Sequence, residues 1–148
     1  MNNQDLTISI LVNKSPAEAY AAINNVRGWW SETIEGPTDQ VGKEWVYRYK
    51  DIHYSKQKTL ELTPNKKVMW EVVDATLSFT EDKSEWKGTH VEFDISPNGK
   101  QTEIRFTHVG LVPTFECFEA CTKGWSYFIN TSLKSLIDTG KGKPNPEW

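Results

Sequence analysis

Apolar and polar residues alternate at the start of the chain. Leu6, Ile8, Ile10 and Val12 fall on one side and Asp5, Thr7 and Ser9 on the other, which predicts a half-buried strand. Ser15-Pro16-Ala17-Glu18 then reads as a helix start, with Ser15 as N-cap, Pro16 in the first turn and Glu18 placed to complete a capping box. The helix runs through Ala19, Tyr20, Ala21, Ala22 and Ile23 and breaks near Asn24-Asn25; a short turn over residues 26–30 and a loop at Glu35-Gly36-Pro37 follow.

From Val41 the period is two again. Trp45, Tyr47 and Tyr49 share a face against Val46 and Arg48, then Leu60 and Leu62 lead to a turn at Pro64-Asn65. Val68, Trp70 and Val72 form the next inner face, and Met69 and Val73 predict cover on both sides of that strand. Residues 80–88 are charged and read as an exposed loop ending at Gly88. Val91, Phe93 and Ile95 alternate with His90, Glu92 and Asp94; Pro97-Asn98-Gly99 is a hairpin turn, and Ile104, Phe106 and His108 share a face on the return.

Beyond Gly110 the period switches to that of a helix. On a wheel centred on Trp125, residues Thr114, Phe118, Cys121, Thr122, Phe128, Ile129, Ser132 and Leu136 form one stripe, opposite Glu116, Glu119, Lys123, Asn130 and Lys134. The pattern predicts a long helix over residues 114–138, closed at Gly140 by a left-handed C-cap and followed by a tail. Strands in sequence with helices at the two ends predict one α+β domain over residues 1–148, a curved antiparallel sheet of about six strands gripping the C-terminal helix.

Composition sharpens this picture. Apolar residues make up 37% of the chain, yet seven Trp, six Phe and five Tyr supply large buried area per side chain. Within the helical stripe, Cys121, Thr122 and Ser132 sit among Phe118, Trp125 and Phe128, and small residues beside large ones can leave a void facing the sheet. An apolar cavity with a few polar groups is the usual composition of a small-molecule site; a filled aromatic core is the alternative. The residues expected to line such a cavity are Trp30, Trp45, Tyr47, Trp70, Phe93, Phe106, His108, Phe118, Cys121, Trp125 and Phe128. By parity His108 points inward near a strand end, to bond a ligand at the pocket mouth, to act as an acid or base near neutral pH, or to rest at the sheet rim against backbone or water. His53 falls in a turn between Asp51 and Tyr54.

Charge and motifs remove other classes. The net charge of −3 and the absence of a basic run interleaved with aromatics argue against nucleic acid. No apolar leader and no membrane-length span occurs, so the chain is expected in the cytoplasm and away from membranes. Cys117 and Cys121, four apart with no CxxC and no other ligand cluster, read as small buried residues, so neither a metal nor another cofactor is expected. No catalytic constellation is visible: there is no phosphate loop, nucleophile elbow or HExxH, and Glu81-Asp82 belongs to the charged loop.

Read together, several segments resemble the family of activators of the heat-shock protein 90 ATPase, within the START-like (SRPBCC, helix-grip) superfamily. The residues are Ser15-Pro16 before Ala19-Tyr20, Trp29-Trp30, Val41-Gly42-Lys43-Glu44-Trp45, the Pro64-Asn65 turn leading to Trp70, the strand from Thr102 to Leu111, and Gly124-Trp125 with Thr139-Gly140-Lys141-Gly142. The charged stretch before Gly88 and the Cys117/Cys121 pair depart from that pattern. The resemblance implies a helix-grip fold with a pocket between helix and sheet, without implying a particular reaction. The leading expectation is binding of a small hydrophobic or aromatic ligand. The alternatives are an interaction module modulating a heat-shock chaperone ATPase and an enzyme of cyclase or hydrolase type. An uncovered edge strand also leaves a homodimer open.

Overall fold

The computed structural model describes residues 5–50, 52–78, 81 and 85–144. Residues 1–4, 51, 79–80, 82–84 and 145–148 lie outside the described residues, and so does most of the stretch 80–84 expected to begin the exposed loop. Strand β1 (Leu6–Val12) leads into α1 (Pro16–Asn24) through the expected capping box. Ser15 Oγ accepts from the Glu18 N–H at 3.2 Å, and the Glu18 carboxylate accepts from the Ser15 N–H at 3.4 Å. A single 3₁₀ turn (Val26–Gly28) then carries the chain to Trp29 and Trp30.

Strands β2 (Glu44–Tyr49), β3 (His53–Thr63), β4 (Lys67–Leu77), β5 (His90–Asn98) and β6 (Gln101–Val109) complete one open sheet in the order β1-β6-β5-β4-β3-β2. Every neighbouring pair is antiparallel. Period-two parity decides the buried face, because successive side chains point to opposite sides. Trp45 and Tyr47, Val68, Trp70 and Val72, Val91, Phe93 and Ile95, and Ile104, Phe106 and His108 all lie inward. An extra residue at Val73, opposite the Lys56/Gln57 step, then flips β4, so that Ala75 and Leu77 continue its buried side. In the β5–β6 hairpin Asn98 remains in the strand, and Gly99 supplies the positive φ of 63°.

The C-terminal helix, α2, is 22 residues long and made of three consecutive pieces: Phe118–Ser126, a π-helical Tyr127–Leu133 and Lys134–Thr139. It begins later than the pattern suggests. Residues 113–117 form turns and Thr114 is exposed, because the first free N–H groups find their acceptor only there. The Glu85 carboxylate accepts from the N–H of Glu116 at 2.8 Å and of Cys117 at 3.2 Å. The helix ends as expected at Gly140, whose φ of 83° is the left-handed cap.

The π segment also changes the buried stripe. Cys121, Trp125, Phe128, Ile129, Ser132, Leu133 and Ile137 are buried, whereas Leu136 is only half-buried and Thr122 partly so. An i→i+5 ladder turns less per residue than the constant wheel assumes, which brings Leu133 and Ile137 under the helix in place of Leu136. α1 packs on β4, β5 and β6 beside the last turns of α2, with Ala19 and Ile23 buried. Burying large apolar side chains of this kind stabilises the fold by about 1.5–3 kcal/mol each.

Both sheet edges are partly covered. Lys134 Nζ donates to the Leu11 carbonyl at 2.6 Å, and the Asp138 carboxylate accepts from the Asn13 N–H at 2.8 Å, so the end of α2 is tied to β1. At the other edge Glu35 and Val46 exchange two backbone hydrogen bonds of 3.1 and 2.8 Å.

Candidate functional site

Trp30 sits at the centre of an aromatic box, and the loop behind it explains how. Arg27 donates from Nε to the Ile34 carbonyl at 3.0 Å and from its terminal nitrogen to the Gly36 carbonyl at 2.7 Å. Gly36 has a φ of +100°, and a Cβ there would stand 2.6 Å from the Glu44 carbonyl oxygen, so the loop closes on β2 only with glycine. Trp30 is thereby held against Tyr47 with ring centroids 4.3 Å apart and planes 20° apart. It also packs edge-on to Trp45 at 5.9 Å and tilted to Trp125 at 4.9 Å.

Beside this box lies a half-open cavity of about 520 Å³ between α2 and the β2–β3 end of the sheet. Trp30, Tyr47, Trp86, Trp125 and Phe128 make its apolar walls, with Tyr49, His53, Cys121 and Gly124. Ile52, Ala120 and Lys123 stand at the exposed mouth. Of the residues expected to line a cavity, the structure brings together Trp30, Tyr47, Cys121, Trp125 and Phe128 there. Trp45, Trp70, Phe93 and Phe106 instead form the close-packed layer behind it, with Trp70 edge-on to Trp45 at 4.7 Å and Phe93 against Phe106 at 5.3 Å. Phe118 is half-buried on the core outside the cavity lining. Ser132 leaves no void: its hydroxyl donates to the Trp29 carbonyl at 2.7 Å and accepts from the Lys143 N–H at 2.8 Å.

His108 is fully buried rather than at the mouth or rim. Its Nδ1 accepts from the Trp125 indole N–H at 3.1 Å, and its Nε2 lies 2.8 Å from Thr89 Oγ1. Because an indole can only donate, Nδ1 is unprotonated and Nε2 carries the hydrogen, which it gives to Thr89. The Thr89 hydroxyl passes on to the Trp86 carbonyl at 2.6 Å. Burial, reinforced by the neighbouring His53 and His90, pushes the His108 pKa down to about 3. The ring is a neutral structural joint.

Trp86 was hidden in the charged loop. It is buried, stacks on Trp125 at 5.8 Å with planes 10° apart, and donates its indole N–H to Cys121 Sγ at 3.3 Å. Its one signal in the sequence is its size, since a large aromatic surrounded by charges rarely stays in water. His53 is the second missed residue. It opens β3 instead of lying in a turn, meets Tyr47 and Trp86 edge-on at 5.0 and 4.5 Å, and bonds Ser55 Oγ through Nε2 at 3.2 Å. Burial pushes its pKa down to about 3, and since the ring still meets the open cavity, water there moderates the effect.

The remaining polar groups are quiet. Burial pushes the Tyr47 hydroxyl up to about 12. The hydrogen bond that the Cys121 thiol donates toward Cys117, and then burial, push the Cys121 thiol up, so neither is ionised at neutral pH and neither is an activated nucleophile. Among the described residues no three His, Cys, Asp or Glu side chains are grouped to hold a metal ion, and no helix is long and apolar enough to cross a membrane.

Residues 16–138 match the family described as activator of Hsp90 ATPase homolog 1-like protein. The chain belongs to this family. The Aha1 dimer from Colwellia psychrerythraea is a similar structure, with a TM-score of 0.75 and 28% identity over 94% of this chain and 99% of that one. MLL2253 from Mesorhizobium loti shares the fold at a TM-score of 0.71 and 14% identity, over 90% of this chain and 96% of that one. SSP2350 from Staphylococcus saprophyticus does so at 0.67 and 14%, over 95% and 96%. Among curated proteins there is no significant match. For a member of the Hsp90-ATPase-activator-like family, the helix-grip architecture places the cavity where the long helix crosses the sheet.

Proposed function

We propose that this protein binds a small hydrophobic or aromatic molecule in the cavity between α2 and the sheet. The observation that carries the reading is the half-open space of about 520 Å³ walled by Trp30, Tyr47, Trp86, Trp125 and Phe128. Its size and apolar lining are those of a small-molecule site, and a void of this size beside a close-packed aromatic layer departs from ordinary packing. Members of this superfamily commonly hold hydrophobic ligands, which supports the same reading. The lining is dominated by aromatic side chains, which favours binding or carriage over cyclase or hydrolase chemistry. Titration with an apolar fluorescent dye, read by intrinsic tryptophan fluorescence and a rise in Tm, tests it. A protein whose Tm and emission ignore every apolar probe does not have this function.

Family membership favours a second activity, modulation of a heat-shock chaperone ATPase, and the Colwellia relative supports a homodimer as its assembled form. Chaperone ATPase rate with and without the protein tests the first, and sedimentation tests the second. The same reading takes the chain as one helix-grip domain working in the cytoplasm, where the free thiols of Cys117 and Cys121 stay reduced.

A further inference from the structure

The polar groups around the cavity divide unevenly. The indole N–H groups of Trp86 and Trp125 are both consumed by protein acceptors, Cys121 Sγ at 3.3 Å and His108 Nδ1 at 3.1 Å. Trp30 stacks on Tyr47 with ring centroids 4.3 Å apart, and the Tyr47 hydroxyl, protonated at neutral pH, has an O–H to donate. Gln57 donates to Ser55 Oγ, which lies 3.2 Å from His53 Nε2. Among the described residues no carboxylate lines the cavity. Its one formally charged lining group is the Lys123 ammonium at the mouth, which among the described residues has no ion-pair partner, although Glu119 lies one helical turn earlier.

The carboxylates nearest in the chain stand outside the cavity lining. The Glu85 carboxylate is already turned onto the backbone N–H groups of Glu116 and Cys117. Lys50 adds a second cation close by, its Nζ 5.2 Å from the ring centre of Tyr49, itself a lining residue. Among the described residues the cavity lining therefore offers apolar walls, a few hydrogen-bonding groups and a positive charge at the mouth, and no carboxylate.

We propose that the pocket selects anionic amphipaths: an apolar, ring-sized body carrying a carboxylate, seated between Trp30, Trp86 and Trp125 with its carboxylate at the mouth against Lys123. The Tyr47 hydroxyl is a donor for an oxygen set deeper on the same molecule. This selectivity rests on the pocket reading above, but it can fail while that reading stands. A cationic analogue is disfavoured because it would bring an ammonium beside Lys123.

The test compares three probes of one shape by isothermal titration: 2-naphthoate, 2-naphthalenemethanol and 2-naphthylmethylammonium. The anion is expected to bind about fivefold tighter than the alcohol at low salt, the effect of an ion pair at a solvated rim, with the ammonium weakest. The preference should shrink as salt is raised. Lys123→Gln should bring the ratio of anion to alcohol affinity close to one, and Lys123→Glu should put the ammonium ahead of the anion. Equal affinity of the wild-type protein for all three probes overturns the selectivity and leaves the apolar pocket intact. So does a preference that survives in Lys123→Gln. Failure of all three to bind overturns both readings.

Discussion

The Trp125 indole N–H points at Nδ1 of His108 from 3.1 Å, joining the middle of α2 to the last strand of the sheet. His108 Nε2 continues to Thr89, and Thr89 to the Trp86 carbonyl, so one neutral imidazole orients two walls of the cavity. His108→Phe keeps the ring volume but leaves the Trp125 N–H and the Thr89 hydroxyl without their partner. A buried donor left unsatisfied costs about 1–3 kcal/mol, so this variant is expected to lower the urea midpoint accordingly. A midpoint equal to that of the wild type would mean that the chain of hydrogen bonds contributes nothing.

The same joint makes stability depend on pH. His108 has a folded pKa of about 3 against an ordinary value of 6.5, so below 6.5 the unfolded chain takes up a proton that the native state refuses. The contribution is fully present above pH 6.5 and is lost as the pH falls toward 3. The slope approaches about 1.4 kcal/mol per pH unit for this group. Urea unfolding at a series of pH values should show a slope to which His108 and His53 both contribute, and His108→Phe should remove the His108 share; parallel curves for the two proteins would refute the assignment.

Gly124 lies inside a helical segment and lines the cavity, and a Cβ placed there meets no atom within 4 Å. Glycine in a helix interior is less favourable than alanine by about 0.5–1 kcal/mol, so Gly124→Ala should raise the stability by that amount. Gly124→Leu should keep the fold yet occupy the space, and its dye affinity should fall well below that of Gly124→Ala. Undiminished dye binding by the leucine variant would place the ligand elsewhere.

Glu85 tests the connection between the charged loop and the helix. Its carboxylate serves as a cap borrowed from another element, and Glu85→Ala should destabilise by about 1 kcal/mol, as loss of an N-cap does. Amide exchange at Cys117 should quicken, and the Trp86 environment should change with it. If Cys117 exchange is unaltered, the cap is not holding the helix start.

Much of this architecture was legible because it follows from period. The alternation of Trp45 with Tyr47, of Val91 with Phe93 and of Ile104 with Phe106 fixes the inner face of the sheet without any knowledge of its partners. Ser15 with Glu18, and Gly140, mark their helix ends through local chemistry alone. The cavity was harder to read. Trp45, Trp70, Phe93 and Phe106 share inward parity with Tyr47, and parity cannot distinguish the wall of a space from the layer behind it. Trp86 and His53 belong to no periodic run, and each is buried by contacts with residues distant in sequence. A helical wheel turning by a constant angle cannot register the π segment, so it favoured Leu136 over Leu133 and Ile137.

That π segment has a further consequence. It splits one continuous helix into two halves with separate work: Cys121, Gly124 and Trp125 attend to the cavity, while Leu133, Ile137 and the Lys134–Asp138 pair fasten the chain to α1 and β1. Removing one residue from Tyr127–Leu133 would rotate one half against the other by about 100°, swinging either the cavity wall or the anchor out of place. The extra residue acts as a swivel between the half that walls the cavity and the half that clasps the sheet, so the facing of each is set separately.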